Sequence, residues 1–324
     1  MRPSPSVLEA EELASRGPKR RMLVIVNPYA STVTGRLKRL VLNALRGRYD
    51  VEAIDTAAPG HAIQICHEAA EEGFDVVVAF GGDGTVNEVA NGLVGSDVPL
   101  TCLPGGATNV FCRTLGIPAD LVDAAEHLLH VADVFQPRRV DVGFANQRAF
   151  VFAAGVGLDA SVVKRVDSHP KVKARIGEYF FTGAALVTYA AEYVVKPPRM
   201  RVEVAGRTID AVTTVVQNSD PYTYFASSPI RLVEGVSLTD GRLGATVLRK
   251  SGLAQMPTLM PRVFSTREGS LGRHSQIDTF TGLETLRVST LDDRELPLQA
   301  DGDYMGSFTE IEFSVKPLGL SVVA

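Results

Sequence analysis

Only three cysteines occur in the 324 residues, Cys66, Cys102 and Cys112. None is spaced from another as metal ligands are. So sparse and odd a set excludes a disulfide scaffold and fits a reducing compartment, so the cytoplasm is expected. Long apolar runs are also missing. None reaches the roughly 18–20 residues that a bilayer crossing needs, and the best attempt, Thr182 to Val195, is broken by Glu192. A lipid partner would therefore be met from the water side. The first 21 residues are polar, with Pro18-Lys19-Arg20-Arg21 and no apolar stretch, so no signal peptide is expected. Charge of one sign is lacking too. Against 37 acidic residues stand 33 basic ones, a net charge of −4, too mild to make nucleic acid a main partner. There is no fixed-period repeat and no low-complexity tract.

What is present is a chain long enough for two domains. At 45% hydrophobic residues it also has the means for a sizeable core. Residues 1–20 read as a flexible tail. Met22 to Val26 is a continuous apolar run stopped at Asn27-Pro28, the mark of a buried strand. A helix follows around Gly35 to Leu45, then a strand at Val51 to Ile54. Gly60 to Glu72 is helical, with Ile63, Cys66, His67 and Ala70 on one face. Asp75 to Phe80 and Leu100 to Leu103 are further strands. This alternation implies an α/β fold, a doubly wound and mostly parallel sheet over residues 21–141. Ligands of such sheets sit at the carboxyl ends of the strands. Beyond about residue 140 come alternating segments at 201–204, 213–216, 245–248, 286–289, 311–315 and 320–323. They imply a second, mainly antiparallel β-rich domain over 142–309, interrupted by a helical insert at about 173–195.

The stretch Gly81-Gly82-Asp83-Gly84-Thr85-Val86-Asn87-Glu88-Val89 joins the strand at 75–80 to a helix-like segment, Val86 to Leu93. A glycine turn in that place presents backbone N–H groups and a positive helix end, which suits phosphate. It has neither the Lys-Ser/Thr ending of a P-loop nor the spacing of a dinucleotide fingerprint. Thr85 and Glu88 form a capping box, with Asp83 beside the cap. Capping does not account for three glycines around an aspartate. Glycine permits positive φ and close approach of a ligand. A nucleotide phosphate with Mg²⁺ would use that approach, with Asp83 on the metal or its waters. Pro104-Gly105-Gly106 is a second glycine turn leaving a strand, with Thr108 and Asn109 as donors at a helix start. Asp301-Gly302-Asp303 reads as a polar hairpin turn. In the insert, Tyr179, Phe180, Phe181, Leu186, Tyr189 and Tyr193 read as core. The nearby Lys164, Arg165, Lys171, Lys173 and Arg175 read as a solvated face or a seat for anionic head groups.

Gly81 to Val89 resembles the signature of the diacylglycerol kinase catalytic-domain family, shared with sphingosine kinases and soluble bacterial lipid kinases. Asn27-Pro28, the block from Leu103 to Pro118, and Asp301-Gly302-Asp303 extend the resemblance, which is dense to residue 141. It implies an ATP-dependent lipid kinase that uses Mg²⁺ and moves the γ-phosphoryl group of ATP to a lipid hydroxyl. Such a protein would be cytoplasmic and peripherally membrane-associated, meeting its lipid at the membrane surface without a transmembrane segment. Its assembly is left open between a monomer and a homodimer. By the same resemblance Asp83 would organise Mg²⁺ and Asp303 would deprotonate the acceptor. Asn27, Thr56, Gly81, Gly82, Asp83, Gly84, Thr85, Asn87, Glu88, Gly105, Gly106, Thr108 and Asn109 would surround the nucleotide. Ser237, Asp240 and Arg242 would hold a structural Mg²⁺, and Asp159, in Gly155-Val156-Gly157-Leu158-Asp159, would lie near the lipid. The last strand would return to the first domain, so that about 310–324 completes it. Two positions depart from the family pattern. Val110 replaces a carboxylate of the metal network, and Asp303 replaces a glutamate. The shorter side chain must still come within roughly 2.6–3.2 Å of the hydroxyl it serves. The Gly-Gly-Asp-Gly core also occurs in NAD kinases. A soluble-metabolite kinase of that type, or a catalytically weak nucleotide- or lipid-binding relative, is the alternative.

Overall fold

The computed structural model describes residues 19–167, 193, 197–225, 228–252 and 255–324. Outside them lie most of the tail, most of the insert at 173–195 with its aromatic residues other than Tyr193, and Lys171, Lys173 and Arg175. The N-terminal part runs β1 (Arg21–Val26), α1 (Gly35–Leu45), β2 (Asp50–Asp55), α2 (His61–Glu71), β3 (Val76–Gly81), α3 (Asp83–Leu93), β4 (Leu100–Pro104), α4 (Val110–Thr114) and α5 (Leu121–Val131). Every residue of β3 and β4, and all but the first of β1, is buried, as expected of strands covered by helices on both faces. All pairings among β1 to β4 are parallel. Side-chain caps start two of the helices. Thr34 Oγ1 accepts from Leu37 N–H at α1, and Asp120 Oδ1 accepts from Val122 and Asp123 N–H at α5.

The chain continues with β5 (Arg138–Ala145), β6 (Arg148–Phe150), β7 (Ala153–Gly157), α6 (Leu158–Asp167), β8 (Met200–Val204), β9 (Arg207–Ala211), β10 (Thr213–Gln217), β11 (Thr223–Phe225), β12 (Ser228–Ile230) and β13 (Leu243–Leu248). Then come α7 (Met256–Val263), β14 (Ile277–Leu283), β15 (Thr285–Thr290), β16 (Leu296–Ala300), β17 (Asp303–Phe308) and β18 (Glu310–Val322). One sheet has the order β2-β1-β3-β4-β18-β15-β8-β9, with β5 paired to β18 and β6. It changes from parallel to antiparallel at β18, which pairs in parallel with β4 and antiparallel with β15 and β5. A second sheet, β14-β13-β10-β7-β16-β17, is antiparallel throughout. The fold is thus α/β with a β-rich C-terminal half. Its strand β18 touches β4 at Val322 and Leu100, and Leu320, Val322 and Val323 pack into the first core.

Three local expectations are corrected. The buried face of α2 is Ala62, Ile65, Cys66 and Ala69, while His67 is exposed and Ile63 and Ala70 are only half-buried. The face is turned by about one residue because α3 packs against it, and a methyl group on Gly92 would strike Cys66. The segments at 311–315 and 320–323 are one strand. The Lys316-Pro317-Leu318-Gly319 interruption is a bulge with Leu318 at φ 50°, so pairing with β5 resumes beyond it. Finally, α3 starts at Asp83, earlier than Val86. The three cysteines are buried free thiols.

A second core lies between the two sheets. Phe150 and Phe313 meet there edge to face, with ring centroids 6.4 Å apart and both rings fully buried. Phe150 also lies over Gly143, where any side chain would collide with its ring. Phe313→Ala is expected to lower the unfolding free energy by about 3–5 kcal/mol, read from urea unfolding. A loss under about 1 kcal/mol would mean that this core closes over the gap.

Candidate functional site

The carboxyl ends of β1 to β4 meet at two glycine turns. Gly105 N–H donates to Gly81 O at 2.8 Å, and Gly82 and Gly106 face each other backbone to backbone. A methyl group on Gly105 would stand 2.8 Å from the Gly81 Cα, and one on Gly106 2.8 Å from the Gly82 Cα. Only glycines allow this approach. Asn27 follows β1 and donates from Nδ2 to Thr85 Oγ1 at 3.2 Å, while its own Oδ1 accepts from Tyr29 N–H. Thr56 follows β2, with its N–H on Val26 O. Thr108 is half-buried in the second turn. The first turn of α3 has no side-chain cap among the described residues, so its N–H groups are presented to the turn.

Asp83 is half-buried in that first helical turn. Its Oδ1 accepts from Phe111 N–H at 3.4 Å, at the start of α4. Val110, the first residue of α4, is buried and brings no carboxylate. Burial pushes the Asp83 carboxyl up to about 7, and the charges of Asp301 and Asp303 add to this, against the Phe111 and Val110 N–H groups. Asp303 opens β17. Its carboxylate lies against Gly84, where a methyl group would collide with it.

The hairpin turn that carries Asp303 is Asp301-Gly302, with φ of 48° and 84°. Two positive φ angles define a type I′ turn, which Asp-Gly suits. Asp301 is almost fully buried. Its carboxylate accepts from Asn87 Nδ2 (2.8 Å) and from the N–H groups of Val151 (2.7 Å), Phe152 (3.0 Å) and Ala153 (3.1 Å). Burial pushes this carboxyl up, and the four donors oppose the shift. Gly302 N–H donates to Gln299 Oε1 at 2.9 Å, and Gln299 Nε2 donates to Asp159 Oδ2 at 2.6 Å. The Tyr222 hydroxyl donates to Asp159 Oδ1 at 2.6 Å. Burial raises the Asp159 carboxyl, against these two hydrogen bonds. A chain of contacts therefore runs from Tyr222 through Asp159 and Gln299 to the Asp303 turn.

The structure sorts the expected residues. Asn27, Gly81, Gly82, Asp83, Gly84, Gly105, Gly106, Thr108 and Asp303 gather at the turns, while Thr56 stands farther out, at the end of the edge strand β2. Asn109 bonds back to both N–H and O of Gly106, so it braces the turn and does not cap α4. The capping box does not form. Thr85 is held by Asn27, and Glu88 accepts from Gly60 and Ala62 N–H, capping the neighbouring helix α2. Asn87 is fully buried. It donates to Ala149 O and Asp301 and accepts from Arg148 at 2.7 Å, so it faces the protein interior, away from the turns. With α3 starting at Asp83, positions 87 and 88 rotate away from the turn. Asp159 has both oxygens occupied by protein donors. In the loop at 237–242, Asp240 accepts from Ser237 and Arg242 N–H, and the Arg242 guanidinium pairs with Glu284. The loop is satisfied as a self-capped turn, anchored by Asp141 through Gly241 N–H. Asp301, Gln299 and Tyr222 escaped the sequence reading as separate positions. Asp301 was visible only as the turn residue before Gly302, and the other two gave no local signal.

Among the described residues no three acidic, His or Cys side chains converge as a metal cage. Mg²⁺ ordinarily takes one or two carboxylates and completes its shell with phosphate oxygens and water. Asp83, beside the Gly84 cradle, fits that use.

The model of the diacylglycerol kinase catalytic domain matches residues 21–144, and that of the YegS C-terminal NAD kinase beta sandwich-like domain matches 153–324. A diacylglycerol kinase of Bacillus subtilis is 27% identical over 296 residues, covering 89% of this chain and 91% of its own. One from Staphylococcus aureus is 28% identical over 300 residues, covering 89% and 87%. A crystal structure of a diacylglycerol kinase from Bacillus anthracis superposes with a TM-score of 0.72 at 24% identity, covering 95% of this chain and 98% of that one, and shares its fold.

A carboxyl raised in the folded state stabilises the fold while protonated. For Asp83 that contribution is complete below about pH 4 and is lost as pH rises through about 7. Without metal or nucleotide, Asp83→Asn should melt near the wild-type temperature at pH 4 and above it at pH 8. A difference that does not grow with pH would show that Asp83 ionises normally.

Proposed function

The chain belongs to the diacylglycerol kinase catalytic-domain family, and on that premise we propose that it is an ATP- and Mg²⁺-dependent lipid kinase. The observation that carries this reading is the Asp303 carboxylate set against Gly84 in the first turn of α3. A carboxylate for the acceptor and a turn for phosphate come together from opposite ends of the chain.

The glycine turns at 81–84 and 105–106 would hold the triphosphate through backbone N–H groups and the open end of α3. Asp83 would hold Mg²⁺ together with phosphate oxygens, leaving Asp303 for the acceptor. When bound, the ion supplies charge neutralisation for the transferring group. Asp303 accepts the proton of the lipid hydroxyl. The hydroxyl oxygen forms its bond to the γ-phosphorus, and the bond to the bridging oxygen breaks as ADP leaves. Most of the rate gain comes from positioning. The Tyr222–Asp159–Gln299 chain and the Asp301 contacts supply it by fixing the turn that carries the base.

Labelled ATP offered with diacylglycerol, sphingosine, phosphatidylglycerol, ceramide and NAD is expected to label a lipid. Label in NAD alone would assign the soluble-metabolite alternative, and ATP binding with no labelled lipid would overturn the kinase reading. Asp303→Asn is expected to lower kcat by roughly 10²–10⁴-fold with the KM for ATP little changed. Asp83→Ala should abolish turnover in a protein that stays folded by circular dichroism. Near-normal rates in either variant would remove that residue from the mechanism.

A further inference from the structure

Apart from the glycine turns, the structure brings two distant segments into one apolar patch. Phe225 ends β11 and is 41% exposed; Phe264, just past α7, is 50% exposed. Their rings pack edge to face with centroids 5.6 Å apart. Met260, one turn earlier on α7, is 41% exposed. The adjoining face of α7 is seated, since Leu259 is buried against Val212, Leu248, Leu271 and Ile277. The helix is therefore held firmly by one face while it offers Met260 to water.

The charge around the patch runs against that of the molecule. Residues 249–276 contain five basic side chains and one acidic, Glu268, in a chain of net −4. Arg249, Lys250, Arg267 and Arg273 are exposed. Arg249 is paired with Asp278, and Arg231, beside β12, with Asp220. The ion pairs among the described residues leave Lys250 and Arg267 to solvent. Aromatic and methionine side chains on a segment rich in exposed cations, with Glu268 and the Glu234 carboxylate at Gly269 N–H as its acidic members, match a negatively charged lipid surface. The rings enter the boundary between head groups and acyl chains, and the cations stay with the head groups.

The patch also continues from the site. Tyr222, which bonds Asp159, lies three residues before Phe225, roughly 10 Å along an extended chain. Tyr224, between them, stacks under the Arg113 guanidinium at the end of α4. We propose that Phe225, Met260 and Phe264, with the basic segment around them, are the surface by which this protein docks on an anionic bilayer. The proposal rests on the lipid-kinase reading, since the acceptor would reach the Asp303 turn from that same bilayer.

Co-sedimentation of the full chain with phosphatidylcholine vesicles, with and without phosphatidylglycerol, tests it. The wild type is expected to bind the phosphatidylglycerol vesicles at least about tenfold more tightly. A Phe225→Ser/Phe264→Ser double variant should lose at least about tenfold in binding, and so should Lys250→Glu/Arg267→Glu. Both should keep the wild-type melting temperature and the wild-type rate on a water-soluble, short-chain form of the lipid that is labelled. No sedimentation of the wild type, or equal binding by the aromatic variant, would overturn the docking surface. Sedimentation needs no turnover. Vesicle binding without any labelled lipid would therefore overturn the kinase reading and leave the surface standing; labelling without vesicle binding would do the reverse.

Discussion

The carboxylate of Asp301 joins three parts of the chain that are remote in sequence: α3, the crossover from β6 to β7, and the hairpin between β16 and β17. Taking a carboxylate out of water costs several kcal/mol. Hydrogen bonds to a charged group contribute about 1.5–3 kcal/mol each, and Asp301 receives four. Burial outweighs the donors in the carboxyl's ionisation, which stays raised, but four hydrogen bonds hold it in one place, so the contact acts as an anchor. Its consequence is positional. The residue two places on is Asp303, and the anchor, with the Gln299 bond to Gly302, sets that carboxylate over Gly84. The second sheet is thereby registered against the phosphate turn.

The glycine turns impose the complementary constraint. Where two backbones touch, side chains have no room, so the seat proposed for phosphate consists of N–H groups and a helix end. Such a seat is rigid and cannot adjust its charge. The adjustable charge sits at its rim. Asp83 is raised to about 7 by burial and by its acidic neighbours, and on the proposed reading it would release its proton when a cation arrives. On that reading Mg²⁺ binding and the ionisation of Asp83 would be coupled through this one side chain. In the place of the carboxylate that Val110 lacks, Asp83 also meets the N-terminus of α4. One carboxylate meets the helix end, and on the proposed reading it would serve the metal side of the turn as well.

Much of this was legible in the chain. The apolar run Met22 to Val26 and its stop at Asn27 read directly as a buried strand, because both faces of a parallel sheet are covered. Asp301-Gly302 read as a hairpin turn because few residue pairs tolerate two positive φ angles. The glycines at 81, 82, 105 and 106 pointed to positive φ and to close approach of a ligand; the structure uses them for contact of one backbone with another, and none of the four has a positive φ. Misreadings came where a local rule competed with packing. Thr85 and Glu88 satisfy the capping pattern, yet Glu88 caps α2, because α3 starts at Asp83 and turns that side chain toward its neighbour. The face of α2 was set by Gly92 lying against Cys66, a contact that periodicity cannot reveal.

By itself, then, the sequence determined the α/β alternation, the two glycine turns, the hairpin at 301–302 and the family to which they belong. Each of these follows from short-range chemistry: backbone conformations open to few residues, or apolar patterns a few residues long. The tertiary structure alone decided the rest. It turned Asn87 inward and made Asp159 a link in place of a free carboxylate. It brought Asp303 to Gly84 and Phe225 to Phe264. These are pairings between residues tens to hundreds of positions apart, and no local preference specifies which distant partner a buried polar group or an exposed ring will meet.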